Sequence, residues 1–428
     1  MVEETKIPEG YKKTEVGVIP EDWEIRKLGD DYISYIDSDN LSSSTDLKYE
    51  FNYISLEYID NGKMLGYSEC TFETAPSRAR RRITEEDIMV STVRPNLKSH
   101  YLFKEKKGNW ICSTGFSVIR ANKKNIIPAF IYFNLFFTYI NRQIERLIAG
   151  SNYPAISGSD VKNMTIPIPP ITEQKAIATA LTDVDNLITS LEKLIDKKEK
   201  IKQGTMQQLL TGKKRLPGFS GEWELIKIKD IINYTKGFAF KSSEYRKSGI
   251  RIIRVSDTTY DSIKSEDAIY IDSNSLNKYK KWVLSQNDLI LSTVGSKPPM
   301  YDSMVGKVIK VDYENEGSLL NQNAIKLCDK NGNINTQLIL YYNLKTKTYL
   351  NHIEKIFRGN ANQASITLKE LFEFEIHLPT NKEEQQAIAQ ILRDMDSEIK
   401  ALKQKLQKYK TIKQGMMQEL LTGRVRLV

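Results

Sequence analysis

The sequence predicts an α+β architecture: two globular, mixed α/β domains joined by two long helices that pair as an antiparallel coiled coil within one chain, with pseudo-two-fold symmetry. Three observations carry this reading. Residues 173–216, EQKAIATALTDVDNLITSLEKLIDKKEKIKQGTMQQLLTGKKRL, recur without a gap as residues 384–427, EQQAIAQILRDMDSEIKALKQKLQKYKTIKQGMMQELLTGRVRL, at an offset of 211 positions. Self-similarity of this kind marks a duplicated structural unit. In both copies apolar residues advance in steps of four and three, the spacing of a helix with one narrow apolar seam. A long segment precedes each copy, and the two segments repeat the same order of strand and helix signals.

The seam runs through Ile177, Leu181, Val184, Ile188, Leu191 and Ile195 in the first helix, and through Ile388, Leu392, Met395, Ile399, Leu402, Leu406, Tyr409 and Ile412 in the second. Lys, Glu, Gln and Asp fill the intervening positions, favouring helix and keeping the other faces in water. Thr211-Gly212 and Thr422-Gly423 mark the expected ends, because glycine accepts the left-handed backbone that closes a helix. Residues 173–211 would rise roughly 57 Å as one helix. A lone heptad stretch usually means a dimer or an ordinary core helix. Two near-copies in one chain favour pairing with each other, and an antiparallel pair would act as a spacer between the globular segments.

The first globular segment opens with VGVIPEDWEIRKLGDDY, carrying Pro20 and Trp23, and the second with LPGFSGEWELIKIKDII, carrying Pro217 and Trp223. Arg426-Leu427 repeats Arg215-Leu216, so joining the chain ends would make a ring of two similar units. In the first segment, strands are expected at residues 53–60, at 87–93 (DIMVSTV), at 110–120 and at 164–168. A helix is expected over 128–149, with Pro128 in its first turn and Gly150 at its end. The second segment follows with strands at 251–255, 288–294 (DLILSTV), 305–311, 324–327 and 374–378, and a helix over 336–357. Loops between these elements differ in length and sequence, as expected of two modules that recognise different targets.

Composition narrows the partners. The 428 residues hold 63 Lys and Arg against 54 Asp and Glu, a formal charge of +9, which points mildly toward a polyanion. Cys70, Cys112 and Cys328 are far apart and form no CxxC or Cys-His pattern, which favours a reducing compartment and disfavours structural zinc. The polar, acidic first ten residues predict no secretory signal, and residues 130–140 are too short an apolar run to span a bilayer. A cytoplasmic protein is expected.

The strongest local signal for binding is SRARRR at residues 77–82, with Arg78, Arg80, Arg81 and Arg82, followed by Arg94, Asn96 and Lys98 after DIMVST. The corresponding part of the second segment holds Lys278, Lys280 and Lys281, with Lys297 after DLILSTV. Cations beside a short strand can neutralise phosphates, and arginine can also grip guanine edges. One such loop is more often a solvated surface; its recurrence favours binding. Lys236, Phe238 and Lys241 are further candidates, as are Asn152, Asn360, Asn362 and Gln363, whose amides suit adenine or satisfy turn backbone. Catalytic motifs are missing. Gly204 to Lys213 has the wrong spacing for a phosphate loop, and no Ser or Thr follows its lysine. His100, His352 and His377 stand apart from any nucleophile and read as structural. No glycine-rich turn suits S-adenosylmethionine, Pro298-Pro299 lacks a preceding Asn or Asp, and no metal site can be argued.

Taken together, IPEDWEIRKL, SRARRRITEEDIMVSTVRP, RGNANQASITLKEL and the doubled EQQAIAQIL…KQGMMQELLTG stretch resemble the specificity subunits of type I restriction-modification enzymes over nearly the whole chain. The resemblance implies two target-recognition domains, residues 1–170 and 217–380, each reading half of a split DNA site, with helical repeats at 171–216 and 381–428 that set the spacer. As partners it implies double-stranded DNA, two modification subunits that methylate adenine, and restriction subunits that act as motor and nuclease. S-adenosylmethionine, ATP and Mg would belong to those partners, leaving this chain non-catalytic and without a cofactor. A coiled-coil adaptor without DNA specificity, and a stand-alone DNA methyltransferase or nuclease, are the alternatives.

Overall fold

The computed structural model describes residues 7–148, 154–298, 300–360 and 363–427. Its chain divides into two compact units, Met1–Glu192 with Gln404–Val428, and Lys193–Lys403.

In the first unit the DIMVST stretch forms the strand Ile88–Ser91, buried at every position. It lies inside a four-stranded antiparallel sheet, between Tyr101–Leu102 and Phe116–Ala121, with Ser34–Ile36 at the far edge. Side chains alternate across a strand. Ile88 and Val90 therefore join the core beneath the helices Pro128–Leu135 and Thr138–Leu147, while Met89 faces Ile54, Ile83 and Trp110 of a second sheet. Burial on both faces explains why this strand reads as an uninterrupted apolar run. The second sheet runs Ser68–Thr71, Glu50–Ile54, Trp110–Ser113 and Ala79–Ile83, with the middle pair parallel.

The second unit repeats the scheme. Leu289–Ser292 lies between Val308–Lys310 and Ala324–Asp329, with Ile232–Lys236 beyond. Leu289 and Leu291 face the helices Ile334–Asn343 and Lys347–Ile356, and Ile290 faces the other way toward Ile253 and Leu320. Its second sheet has three strands, Ile269–Ile271, Ile250–Ile253 and Leu319–Leu320, again with one parallel pair.

Several expected elements are divided. Residues 110–120 form two strands, not one, because Thr114 and Gly115 turn the chain from one sheet into the other. The strand expected at 53–60 is divided: 53–54 end the strand Glu50–Ile54, Leu56–Tyr58 form a 3-10 turn, and Ile59–Asp60 is a short strand paired with Lys63–Met64. The helix expected over 128–149 breaks before Thr138, where Phe137 takes an extended backbone with its ring 6% exposed; Ala149 and Gly150 lie outside the described residues. The helix expected over 336–357 breaks likewise, and the Thr346 hydroxyl caps its second half by accepting from the Tyr349 amide at 3.3 Å.

The two long helices are Ile171–Leu209 and Lys382–Leu420, each of 39 residues. Gly212 and Gly423 follow them with φ of 67°, in the left-handed region that closes a helix. Within the first unit Asp185 meets Lys413 at 2.5 Å and Glu192 meets Lys410 at 3.0 Å. Within the second, Lys198 meets Glu398 and Glu199 meets Lys403, both at 2.7 Å, and Lys202 pairs with Asp396. In each unit the numbers rise along one helix as they fall along the other, so the pairing is antiparallel. Of the seam residues, Ile177, Leu181, Ile188, Leu191, Ile195, Ile388, Leu392 and Ile399 are buried, and Val184, Met395, Leu402 and Leu406 are half-buried. Ile412 is 38% exposed. Two successive steps of three leave it about 100° short of the place the seam has reached, which Lys413 occupies.

A matched clamp holds each helix start. Arg426 grips both oxygens of Glu173, 2.7 and 2.8 Å away, and reaches Asp22, holding that carboxyl below its ordinary range. Trp23, fully buried, donates its indole N–H to the same Glu173 at 3.2 Å. In the second unit Arg215 grips both oxygens of Glu384 at 2.7 Å. Each carboxylate lies in the first turn of its helix, where the dipole favours negative charge, and the paired arginine offsets the cost of its burial.

Candidate nucleic-acid interface

The arginine run of the first unit is an edge strand, not a solvated loop. Ala79–Ile83 pairs with Trp110–Ser113, and the strand geometry sends its arginines to opposite sides. Arg81 turns inward to Asp37 at 2.9 Å, with 18% of its side chain exposed. Asp37 also accepts from the Val118 amide at 2.8 Å and the Ser117 hydroxyl at 3.0 Å. That arginine is part of the domain's framework. Arg80 and Arg82 turn the other way, over the rings of Phe72 and Tyr49 at 4.7 and 5.9 Å. An aromatic footing restrains a guanidinium while leaving its N–H edge directed outward. Arg82 lies 3.8 Å from Asp39, and Arg78 is exposed at the start of the strand.

The second unit builds the corresponding edge differently. In place of the arginine strand are the helical turn Leu276–Tyr279 and the 3-10 turn Lys280–Trp282. Phe238, Phe240, Tyr279 and Trp282 pack there with ring centres 4.4 to 6.2 Å apart. The Trp282 indole N–H donates to the Lys236 carbonyl at 3.0 Å, tying the two stretches together. Lys236, Lys241, Lys278, Lys280 and Lys281, from two stretches far apart in sequence, are thus gathered as exposed cations around one aromatic cluster. Lys278 is partly engaged, meeting Glu244 at 3.1 Å; the Tyr279 hydroxyl and Lys278 together hold the Glu244 carboxyl below its ordinary value.

A second grouping follows the central strand in each unit. In the first, Val93 bridges Ala155, and the Arg94 amide donates to the Pro154 carbonyl at 2.7 Å. Arg94 and Lys98 then flank the turn Pro95–Leu97; Arg94 and Asn96 are exposed, and Lys98 is half-buried. In the second, Val294–Gly295 joins the antiparallel strands Arg358–Asn360 and Gln363–Ser365 in a small three-stranded sheet. Lys297, Asn360 and Gln363, all exposed, are drawn together there, with Lys297 5.8 Å from the Phe357 ring. Asn152 and Asn362 lie outside the described residues, as does Pro299.

The aromatic supports escaped sequence reasoning, apart from Phe238. Only the recurrence of Phe and Tyr near the basic runs could have signalled them. Arg358, on the same short strand as Asn360, was also missed; it pairs with Glu370 at 2.8 Å. The histidines lie outside both groupings. His100 is fully buried, its Nδ1 accepting from the Ser91 amide at 3.1 Å, and burial holds its pKa down at about 4. His352 Nε2 lies 3.1 Å from the Glu370 carbonyl, and His377 is exposed on a strand. Among the described residues, no group of three or more His, Cys, Asp or Glu is placed to hold a metal ion. No described helix is long and apolar enough to cross a membrane.

The geometry is that of cations on aromatic footings, with neighbouring amides, presented at the same topological places twice. Such an assembly can contact phosphates, sugar and base edges together. Comparison with known proteins gives the family. Residues 20–203 and 220–411 each match the type I restriction modification DNA specificity domain. Over 435 aligned residues the chain is 27% identical to the type I restriction enzyme MjaVIII specificity subunit of Methanocaldococcus jannaschii, covering 98% of this chain and 96% of that one. In fold it is similar to the S subunit of a type I restriction-modification system from M. genitalium, with a TM-score of 0.59, 14% identity and 97% of each chain covered. A chain from a type I restriction-modification complex has a TM-score of 0.52 at 23% identity, covering 95% of this chain and 99% of that one. With two matched domains that together span most of its length, the chain belongs to the type I restriction-modification DNA specificity family.

Proposed function

We propose that this chain is the DNA-reading, non-catalytic subunit of a type I restriction-modification complex. Each unit reads one half of a bipartite duplex site, and the paired helices set the gap between the halves. The observation that carries this is the repetition: Lys and Arg beside aromatic rings, exposed apart from the half-buried Arg80 and Arg81, occur at matching sheet edges of two units. The footings differ, a strand of arginines in one and a lysine-bearing helical turn in the other, which suits two half-sites of different sequence. In this reading two modification subunits supply methyl transfer with S-adenosylmethionine, and restriction subunits supply ATP- and Mg-dependent translocation and cleavage. The whole would work in the cytoplasm.

Selection from a randomised duplex library, with the chain alone and with its modification subunit, tests this. A two-part motif with a fixed gap is the expected result. Salt-sensitive binding without a motif would reduce the chain to a general DNA-binding scaffold, and no binding with either preparation would favour an adaptor role.

A further inference from the structure

The connection that follows the central strand carries an exposed side chain with a large apolar surface, aliphatic in one unit and aromatic in the other. In the first it is Leu97, 58% exposed; in the second it is Tyr301, 46% exposed, beside Met300 at 53%. An isolated exposed hydrophobic side chain on a protein surface is ordinary. These differ in three ways. They occupy the same link in the chain, between Ile88–Ser91 and Tyr101–Leu102 in one unit and between Leu289–Ser292 and Val308–Lys310 in the other. Cations accompany both, Arg94 and Lys98 in the first and Lys297 in the second. Both tips also stand on a stiff footing.

The footing differs in construction but not in effect. Around Leu97, Arg94 and Lys98 hold left-handed backbone, with φ of 48° and 55°. Non-glycine residues keep that conformation only when their surroundings impose it. Here the imposing bonds are Arg94 N–H to Pro154 at 2.7 Å and Lys98 N–H to Pro95 at 3.0 Å, with the Pro95 ring buried. Behind Tyr301, its ring meets that of Tyr260 at 5.3 Å, and the Tyr260 amide donates to Asp302 Oδ1 at 2.8 Å. Lys345 Nζ lies 3.7 Å from the centre of the Tyr260 ring. Lys307, 1% exposed, donates its ammonium to the carbonyls of Thr258 at 2.5 Å, Val255 at 3.3 Å and Asp302. Two buried ammonium groups thus fix the loop that carries an exposed ring.

Proteins that deform duplex DNA insert apolar side chains between base steps and hold the flanking phosphates with cations. We propose that Leu97 and Tyr301 are such wedges, each partly unstacking one base step in the half-site its unit reads. This rests on the DNA-reading function above. A wedge adds specificity without hydrogen bonds to bases, because pyrimidine–purine steps unstack more readily than others. It also explains why an apolar tip is held rigid amid cations: a floppy side chain would lose more freedom on insertion.

The test uses the full chain with its modification subunit and the duplex recovered by library selection, carrying 2-aminopurine at each position in turn. Binding is expected to raise 2-aminopurine fluorescence at one step in each half-site. Leu97→Ala should abolish the rise in one half, Tyr301→Ala in the other, each weakening binding roughly tenfold. Leu65→Ala and Tyr313→Ala, at side chains 64% and 77% exposed elsewhere on the two units, should leave both readouts unchanged. Tight binding to the selected duplex with no fluorescence rise, or with rises that persist in both wedge variants, overturns the wedges and leaves the DNA-reading function standing. If the wild-type complex selects no duplex at all, the DNA-reading function fails and the wedges fall with it.

Discussion

Arg81 and its neighbours Arg80 and Arg82 separate two kinds of arginine that look alike in sequence. Arg81 completes a half-buried network through Asp37, whereas Arg80 and Arg82 lie over the rings of Phe72 and Tyr49, with Arg80 also donating to the Ala79 carbonyl at 2.8 Å and Arg82 3.8 Å from Asp39. Arg81→Ala would strand Asp37 in a poorly solvated place and should cost about 2 kcal/mol, measured by urea unfolding. Arg80→Ala with Arg82→Ala should leave the urea midpoint within error and lower the slope of log K against log salt by about 2, one for each phosphate no longer neutralised. The opposite pattern would put Arg80 and Arg82 in the framework and Arg81 at the DNA. His100 makes a different residue-scale prediction. Its folded pKa of about 4 lies below the ordinary value of 6.5 because burial disfavours the imidazolium. The unfolded chain therefore binds more protons between these values, and stability is lost as pH falls from 6.5 toward 4. The loss should be on the order of 3 kcal/mol. His100→Asn keeps an acceptor for the Ser91 amide and cannot titrate, so its unfolding free energy should vary less with pH over that window.

At the scale of elements, whatever depends on period and repetition could be read directly. The seam, the closing glycines Gly212 and Gly423, and the central strands DIMVST and DLILST all follow from spacing or from uninterrupted apolar runs. What could not be read depends on contacts between distant segments. Nothing local distinguishes the turn at Thr114-Gly115 from a bulge, and the break at Phe137 exists because the ring is buried while the backbone turns. Likewise SRARRR has the composition of a solvated loop; only its partner strand Trp110–Ser113 makes it a sheet edge. The lysines of the second unit are scattered in sequence, and it is the hydrogen bond between Trp282 and Lys236 that joins them. The long helices depart from helix propensity at one matched position. Gly204 and Gly415 lie inside the helices, five residues before the ends at Leu209 and Leu420, and are exposed; an added Cβ would meet nothing within 4 Å. Gly204→Ala and Gly415→Ala should each stabilise the isolated chain by about 0.5–1 kcal/mol, seen as a raised midpoint in thermal unfolding. An unchanged or lowered midpoint would indicate that the helix backbone is not regular there.

At the scale of the whole molecule, each 39-residue helix contributes one part to each unit, Ile171–Leu209 beginning in the first and Lys382–Leu420 beginning in the second. Helix length is then the variable that a change of spacing must act through. Glu192 meets Lys410 within the first unit and Glu199 meets Lys403 within the second, which picks out residues 193–199 of one helix and 403–409 of the other. Deleting both segments removes one heptad from each helix and keeps the pairs on either side in register. Seven residues rise about 10.5 Å, close to three base pairs at about 3.4 Å each. The recognised halves should keep their sequences while the preferred gap shortens by about three base pairs. Affinity should also fall. Seven residues are within about 20° of two full helical turns, so the deletion introduces little rotation along each helix. Three base pairs, by contrast, turn the duplex by about 100°, and the DNA must twist to bring both halves round. Library selection with the shortened chain reads both effects at once. An unchanged gap would show that spacing is set outside the paired helices, and a shortened gap bound as tightly as the original would show that the units turn freely about the helix axis.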